Sequence, residues 1–260
     1  MKKIIIISIW VLLIAGTGVL LGFVTIEKQK GICQGAIVTI NRSSADVLIT
    51  QNELLDLVQT KAKPLRGQKI DGINPREIES TIRKCPYIID AEVYVIMNGM
   101  VMITATQREP ILRVFNTHNE QFYIDKNGTL FQSNPLHPSR VLVASGNINA
   151  RFKQGQDLNL LPDSLKAKSV LYGLYQLSST INQLNYIKPL AGQVFVTEKF
   201  NYELFTNTGR HTIILGDAHD LENKFNRLYW FYKKAISQVG WERYSTINLS
   251  YNNQVVCTKK

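Results

Sequence analysis

The feature that most constrains this chain is an uncharged, largely apolar run from Ile4 to Ile26, which follows the basic start Met1–Lys3. A helix rises about 1.5 Å per residue, so about 20 apolar residues cross the ~30 Å hydrocarbon core of a bilayer once. No later stretch of the sequence is comparably long and apolar. We therefore expect a short tail (residues 1–3), one transmembrane helix (residues 4–26) and a large body on one side of a membrane.

A cleaved secretory signal peptide is the alternative interpretation of this N-terminus, because the small residues Ala15–Gly18 could precede a cleavage site. A cleaved signal usually has an apolar region of only ~7–15 residues. Here the apolar run continues to Val24 and beyond, which favours an uncleaved anchor. Both interpretations export the body. The two lysines before the run are nearly balanced by Lys28 and Lys30 after it, so charge gives only a slight orientation preference.

The formal net charge is +10, which is compatible with nucleic acid, anionic lipid or an acidic partner. The basic residues are scattered, however, and no dense stripe of them alternates with aromatic residues. We therefore predict no nucleic-acid binding, and we interpret the charge as a solvated basic surface near an anionic membrane.

The sequence also lacks the common catalytic and metal-binding motifs. It has no G-x-S-x-G elbow, P-loop, H-E-x-x-H or C-x-x-C, and its three cysteines are far apart. Asp217 and His219 precede a predicted helix and could form a small polar site, but residues at this position commonly cap the helix. The prediction is that the protein is not an enzyme and uses no cofactor or metal.

Residues 37–107 are predicted to form one small domain with the order strand, helix, helix, strand, strand. Thr50 and Glu53 form a capping box for the first helix. Asn74-Pro75 begins the second helix, and Cys85-Pro86 ends it.

A hairpin follows around Asn98-Gly99. A two-residue turn would place Val93 opposite Thr104 and would mix the apolar and polar faces. A three-residue loop places Val93 opposite Ile103, and we predict this loop.

Residues 108–260 are predicted to form a second domain, a mostly antiparallel β sheet with helices on one face. Short alternating strands surround two amphipathic helices, one after Asp163 and one after His219, and a final strand runs from Thr246 to Cys257. The predicted fold class of the whole body is therefore α+β.

The order of these features resembles that of the bacterial division family FtsQ/DivIB, and the first domain resembles the polypeptide-transport-associated (POTRA) fold. Segments spread over most of the body carry the resemblance: Cys85-Pro86-Tyr87-Ile88, Ala91-x-Val93-x-Val95, Val101-x-Ile103-x-Ala105, Arg108-Glu109-Pro110-Ile111, Phe122-Tyr123-Ile124-Asp125-x-x-Gly128-x-Leu130-Phe131, and Leu215-Gly216-Asp217 with Lys224 and Leu228. One segment departs from the family, because Asn248-Leu249-Ser250-Tyr251 stands where the family commonly has an Asp-Leu-Arg-Tyr-like strand.

The resemblance implies a non-catalytic division scaffold. It would be a single-pass type II protein of the inner membrane, with a cytoplasmic tail and a periplasmic body, located at the division septum. Its implied partners are FtsB and FtsL, other divisome components and inner-membrane lipid, and its implied role is to help control septal peptidoglycan synthesis. Two alternatives are an outer-membrane assembly protein with POTRA modules and an exported cell-wall-binding protein or enzyme.

The final strand is the predicted main partner site, because a terminal strand at a sheet edge can accept a partner strand. The resemblance implies FtsB as that partner and adds contacts from the neighbouring strand region. The predicted contacts are Thr246, Ile247, Asn248, Leu249, Ser250 and Tyr251, with Lys199 and Tyr202. The alternative is a covered core strand in which Tyr251 only packs.

A secondary contact is predicted in the first domain, along the edge next to Val101–Gln107. Its residues would be Val101, Met102, Thr104 and Thr106. The alternative is a solvated edge that polar side chains protect from pairing.

Overall fold

The computed structural model describes Trp10 and residues 12–17, 31–62 and 64–260. The chain divides into two compact units: one extends to Arg42 and resumes over Ile49–Gln107, and the other consists of Ser43–Leu48 and Arg108–Lys260. Within the predicted transmembrane segment, Trp10 and residues 12–17 are helical, while its other residues and the tail lie outside the described part of the chain. None of the described helices is long and apolar enough to cross a membrane.

The first unit has the predicted order of elements, which are β1 (Gly35–Asn41), α1 (Gln51–Ala62), α2 (Pro75–Arg83), β2 (Ile88–Val95) and β3 (Met100–Gln107). The capping box is confirmed: the backbone N–H of Thr50 donates to Glu53 Oε2 at 2.7 Å, and the N–H of Glu53 donates to Thr50 Oγ1 at 3.2 Å. Pro75 is the first residue of α2, although the side chain of Asn74 makes no capping bond.

The hairpin of this unit has the predicted register. Val93 pairs with Ile103, and Gly99 has a φ of 82°, which confirms the three-residue loop. The predicted edge along Val101–Gln107 is wrong, because β3 lies between β1 and β2. β1 pairs with β3 in parallel, an arrangement that the long helical connection between them permits. The edge strands of this sheet are therefore β1 and β2.

The second unit contains nine strands among its described residues, and short helices and two long helices interrupt their sequence. The strands are β4 (Pro110–Phe115), β5 (Gln121–Asp125), β6 (Leu130–Gln132), β7 (Leu142–Gly146), β8 (Ala191–Val196), β9 (Tyr202–Thr206), β10 (Thr212–Gly216), β11 (Tyr244–Asn248) and β12 (Val256–Lys259). The helices of this unit are α3 (Asp163–Lys166), α4 (Val170–Gln183), α5 (Leu221–Phe231) and α6 (Ser237–Val239), with a 3₁₀ turn at Leu158–Leu160 and a π-helical segment at Tyr232–Ile236. A further 3₁₀ turn, Ile70–Gly72, belongs to the first unit.

These nine strands form one sheet in the order β12-β11-β10-β9-β8-β7-β4-β5-β6. Five of the eight pairings are antiparallel, and the β10–β11, β8–β7 and β7–β4 pairings are parallel. The sheet is therefore mixed, with an antiparallel majority.

The core of the second unit lies between the sheet and its two long helices. Alternate strand residues such as Val194, Leu204 and Ile213 are buried in one cluster with Leu174 of α4 and Phe225 of α5. The residues between them face the other side of the sheet and are more exposed. In β8, β9 and β10 this alternation is the period-two pattern of strands that are covered on one face. In β5 and β6 the alternate residues Tyr123 and Phe131 are buried as well.

The predicted final strand from Thr246 to Cys257 is wrong as a single element. It consists of two antiparallel strands, β11 and β12, which the loop 249–255 connects. Asn253 in this loop has a φ of 58°, a conformation that asparagine tolerates better than most residues. The reversal places β11 inside the sheet and β12 at its edge.

Candidate functional site

The candidate site is the outer edge of β12. This strand pairs with β11 on one side, and no described strand pairs with it on the other. Val256 is 43% exposed, and Thr258 and Lys259 are also exposed. A free strand edge presents a row of N–H and C=O groups that another extended segment can bind.

The opposite edge of the same sheet is covered. The N–H of Leu130 in β6 donates to the carbonyl of Gln156 at 2.8 Å, and the N–H of Gly155 donates to the carbonyl of Leu130 at 2.9 Å. The N–H of Gln132 donates to the side chain of Gln154 at 3.1 Å. Residues 154–156 thus satisfy the edge of β6. Across the described part of the chain, no such segment covers the outer edge of β12.

Arg227 of α5 holds the loop that leads to β12. Its Nη1 donates to the carbonyls of Tyr251 at 2.5 Å and Gln254 at 2.7 Å, and its Nη2 donates to the carbonyl of Leu249 at 3.0 Å. A planar guanidinium can serve several acceptors in one fixed geometry. The carbonyls of the loop are therefore tied to a helix that is itself anchored in the core, and this fixes where β12 begins.

The side chains of β12 suit contact rather than chemistry. Cys257 lies opposite Ile247, is half-buried against the core, and has a thiol whose pKa burial raises. A neutral thiol is a poor nucleophile. Lys259 and Lys260 add positive charge at the same end. The edge therefore offers backbone hydrogen bonds, flanked by cations that favour an acidic partner.

The structure separates the residues predicted for the main site. Thr246 and Asn248 are half-buried on β11, whereas Ile247 and Leu249 are fully buried in the core. Ser250 and Tyr251 are exposed in the loop, where the backbone N–H and hydroxyl of Ser250 donate to Asn248 Oδ1. The loop residues are thus accessible, and the buried pair of β11 is not.

Two further predicted contacts do not lie beside this site. Lys199 is exposed in the turn between β8 and β9, and Tyr202 begins β9, which β10 separates from β11. Tyr202 is buried, and its hydroxyl donates to the carbonyl of Val170 at 3.2 Å. Burial, with a smaller contribution from the charge of Asp217, raises its pKa to about 12. Its expected role as a surface contact is therefore wrong, since its alternation with Leu204 turns it into the core.

The predicted secondary contact is likewise dispersed. Val101 is buried, Met102 and Thr104 are half-buried, and Thr106 is exposed, all on the central strand β3. Both backbone edges of β3 are already used by β1 and β2. A partner strand therefore has no edge to join there.

Asp217 and His219 serve the fold. Lys224 Nζ donates to Asp217 Oδ1 at 2.8 Å, and the N–H of His219 donates to the same oxygen at 3.2 Å. Partial burial is the largest single influence and works to raise the pKa of Asp217, but the hydrogen bonds from Lys224 and His219, together with the charges of these two residues, outweigh it and lower that pKa. No cluster of potential metal ligands occurs in the described ranges. Asp217 and His219 thus stabilise the chain just before α5.

Comparison with protein-family models gives two matches. The model for "FtsQ/DivIB, C-terminal related" matches residues 109–258, which is more than half of the chain, and the model for "POTRA-like domain" matches residues 31–106. This chain belongs to the FtsQ/DivIB family. None of the curated proteins compared with the chain matches it. The FtsQ/DivIB family consists generally of non-catalytic scaffolds, which suggests a division-associated membrane protein at the septum with other division proteins as partners.

The structure gives a physical role to the segment around Arg108 and Asp125, which carries part of the FtsQ/DivIB resemblance. Asp125 is fully buried, and its carboxylate accepts a hydrogen bond from Arg108 Nη1 at 2.7 Å. Its other oxygen accepts from the N–H groups of Asn127 and Thr129, across a turn in which Gly128 has a φ of 80°. These contacts lock the β5–β6 turn, so this segment supports the sheet.

Sequence reasoning included Val256 in the final strand but missed Thr258, Lys259 and Arg227, and it missed the turn that makes Val256 the start of a separate strand. A signal for this turn was present, since Asn252-Asn253 divides the terminal segment. No local signal marks Arg227, because its acceptors lie more than twenty residues further along the chain.

Proposed function

We propose that this protein is a membrane-anchored scaffold of the bacterial divisome that binds the FtsB–FtsL pair, with the edge of β12 as the docking strand for FtsB. The observation that carries the proposal is the difference between the two ends of the large sheet. The chain itself covers the edge at β6, and the described residues leave the edge at β12 open.

Strand addition at β12 accounts for the features of the site. Main-chain hydrogen bonds to an added strand supply affinity, and side-chain contacts on alternate residues supply specificity. Val256 and Thr258 share the outward register of the sheet, and Tyr251 at 51% exposure lies in the adjoining loop. Aromatic residues often contribute ~2 kcal/mol or more at interfaces. Lys259 protects the edge from indiscriminate pairing.

The same proposal includes the location of the protein. Residues 4–26 would anchor it in the inner membrane as a single-pass type II protein, with residues 1–3 in the cytoplasm and the body in the periplasm at the septum. The apolar run of the sequence supports this arrangement. In this position the scaffold would contact membrane lipid and other divisome components, and by holding FtsB–FtsL it would help control septal peptidoglycan synthesis without catalysing a reaction.

Site-specific photocrosslinking in dividing cells tests the docking strand. A photoreactive amino acid at Val256 or Thr258 should crosslink to FtsB, because an added strand would pass within contact distance of both side chains. The matched control is the same amino acid at Gln132, which is exposed on the covered edge strand β6 of the same sheet.

Deletion of residues 256–260 provides the second measurement. It removes β12 but keeps the buried Ile247 and Leu249, so the second unit should still fold while FtsB capture falls. Equal crosslinking at Gln132 and Val256, or full capture by the folded truncation, would contradict the proposal. Recovery of wall fragments or outer-membrane proteins instead would support the alternative classes.

A further inference from the structure

Two adjoining surface grooves lie between the end of α4 and the side of α5. They share Tyr186 and Tyr229, whose ring centroids are 4.9 Å apart. The first groove, of about 560 Å³, includes the polar side chains of Glu222, Asn223 and Asn226 beside Leu184 and the two tyrosines. The second groove, of about 480 Å³, is aromatic and apolar, and the residues that complete its lining are Pro189, Leu190, Tyr232, Lys233 and Trp241.

The helix that borders the aromatic groove is irregular at this position. α5 passes into the π-helical segment Tyr232–Ile236, and such segments are rare and often lie at functional sites. Tyr232 is turned inward, where its hydroxyl lies 2.7 Å from Nε2 of the buried His211. Trp241 stacks on the same imidazole ring. The floor of the groove is therefore a fixed set of aromatic rings.

The rim of this groove is positively charged. Lys233 Nζ lies 5.3 Å from the ring centroid of Trp230 and 5.8 Å from that of Tyr229, and Lys234 Nζ lies 5.3 Å from that of Trp230. No carboxylate lines the aromatic groove in the described part of the chain. Both lysines are exposed, so the rim complements an acidic ligand.

We propose that the aromatic groove binds an extended, acidic, proline-containing segment of a partner protein in the polyproline II conformation. Such a segment has no internal hydrogen bonds and little ordering entropy left to lose, and aromatic-lined grooves are its usual binding sites. Acidic residues beside the prolines would reach Lys233 and Lys234. A glycan fits less well, because Tyr232 has already used its hydroxyl and few other polar groups line this groove. The proposal does not depend on the role of β12.

Tryptophan fluorescence of the detergent-solubilised full chain tests the proposal, since Trp241 lines the groove and Trp230 lies against Lys233 of its rim. The probes are a panel of synthetic decapeptides in which the spacing of proline and glutamate is varied. At least one should bind saturably. Replacing its prolines by alanine, or its glutamates by lysine, should weaken binding by about tenfold or more, the equivalent of one lost contact of about 1.4 kcal/mol.

Two variants localise the binding. Lys233→Glu reverses the rim charge, keeps every aromatic residue of the groove and should weaken binding about tenfold. Tyr229→Ala should remove one wall of the groove, and Tyr229→Phe should retain it. Lys153→Glu makes the same charge change at an exposed lysine elsewhere and should have no effect. Failure of the whole panel, or unchanged binding by Lys233→Glu and Tyr229→Ala, would overturn the proposal. Saturable binding of a chitin oligosaccharide in place of the peptides would assign the groove to glycans instead.

Discussion

Replacing Arg227 with alanine tests whether α5 holds the edge strand in place. A hydrogen bond from a charged donor contributes about 1.5–3 kcal/mol when its loss leaves a buried partner unsatisfied, and about 0.5 kcal/mol where water can replace it. Tyr251 and Gln254 are exposed, so their carbonyls belong to the second case, whereas Leu249 is buried. The expected sum is about 2.5–4 kcal/mol, most of it from the carbonyl of Leu249.

This loss of stability should be confined to β12 and the loop before it. The lower end, about 2.5 kcal/mol, corresponds to a roughly 70-fold larger opening constant, so the amides of β12 that pair with β11 should exchange hydrogen at least roughly 70-fold faster in Arg227→Ala. Mass-spectrometric hydrogen exchange on the full chain measures this effect, with the amides of α4 as an internal reference. Arg76→Ala removes an exposed arginine from α2 and should leave β12 unchanged. Unchanged exchange in β12, or an equal increase throughout the second unit, would refute the local clamp.

Two further substitutions probe the support of the sheet. Asp125→Ala removes the carboxylate that pairs with the partly buried Arg108 cation, and it should lower the free energy of unfolding in urea by about 3–5 kcal/mol. Asp125→Asn should cause a smaller loss. A loss below about 1 kcal/mol in Asp125→Ala would contradict this role. Hydrogen bonds from the N–H of Phe152 and from Asn116 lower the pKa of Glu120. The charged carboxylate therefore stabilises the fold at a pH above the ordinary pKa of glutamate, and this stabilisation is lost as the pH falls through the lowered pKa. Between about pH 5 and pH 3, the unfolding temperature of Glu120→Gln should therefore fall less than that of the unmodified chain. Identical curves of unfolding temperature against pH would contradict this role of Glu120.

Features that depend on neighbouring residues were predictable from the amino-acid sequence alone. The Thr50–Glu53 capping box spans three residues, and its two hydrogen bonds form within one turn. The pairing of Val93 with Ile103 follows from a two-residue period and a short loop, because a slip by one residue would turn every apolar side chain to the wrong face. Both were predictable because their physics is local.

Which strands lie at the edges of the sheets depends on pairings between distant parts of the chain. β1 joins β3 across a two-helix connection, and β11 joins β10 in parallel across α5. Neither pairing has a local sequence signal, since the cost of closing such a loop is repaid by contacts far away in the chain. The same holds for the cover over β6 and for the Arg227 clamp. The edge at β12 is open because distant segments satisfy the rest of the sheet and the described chain supplies none for this strand.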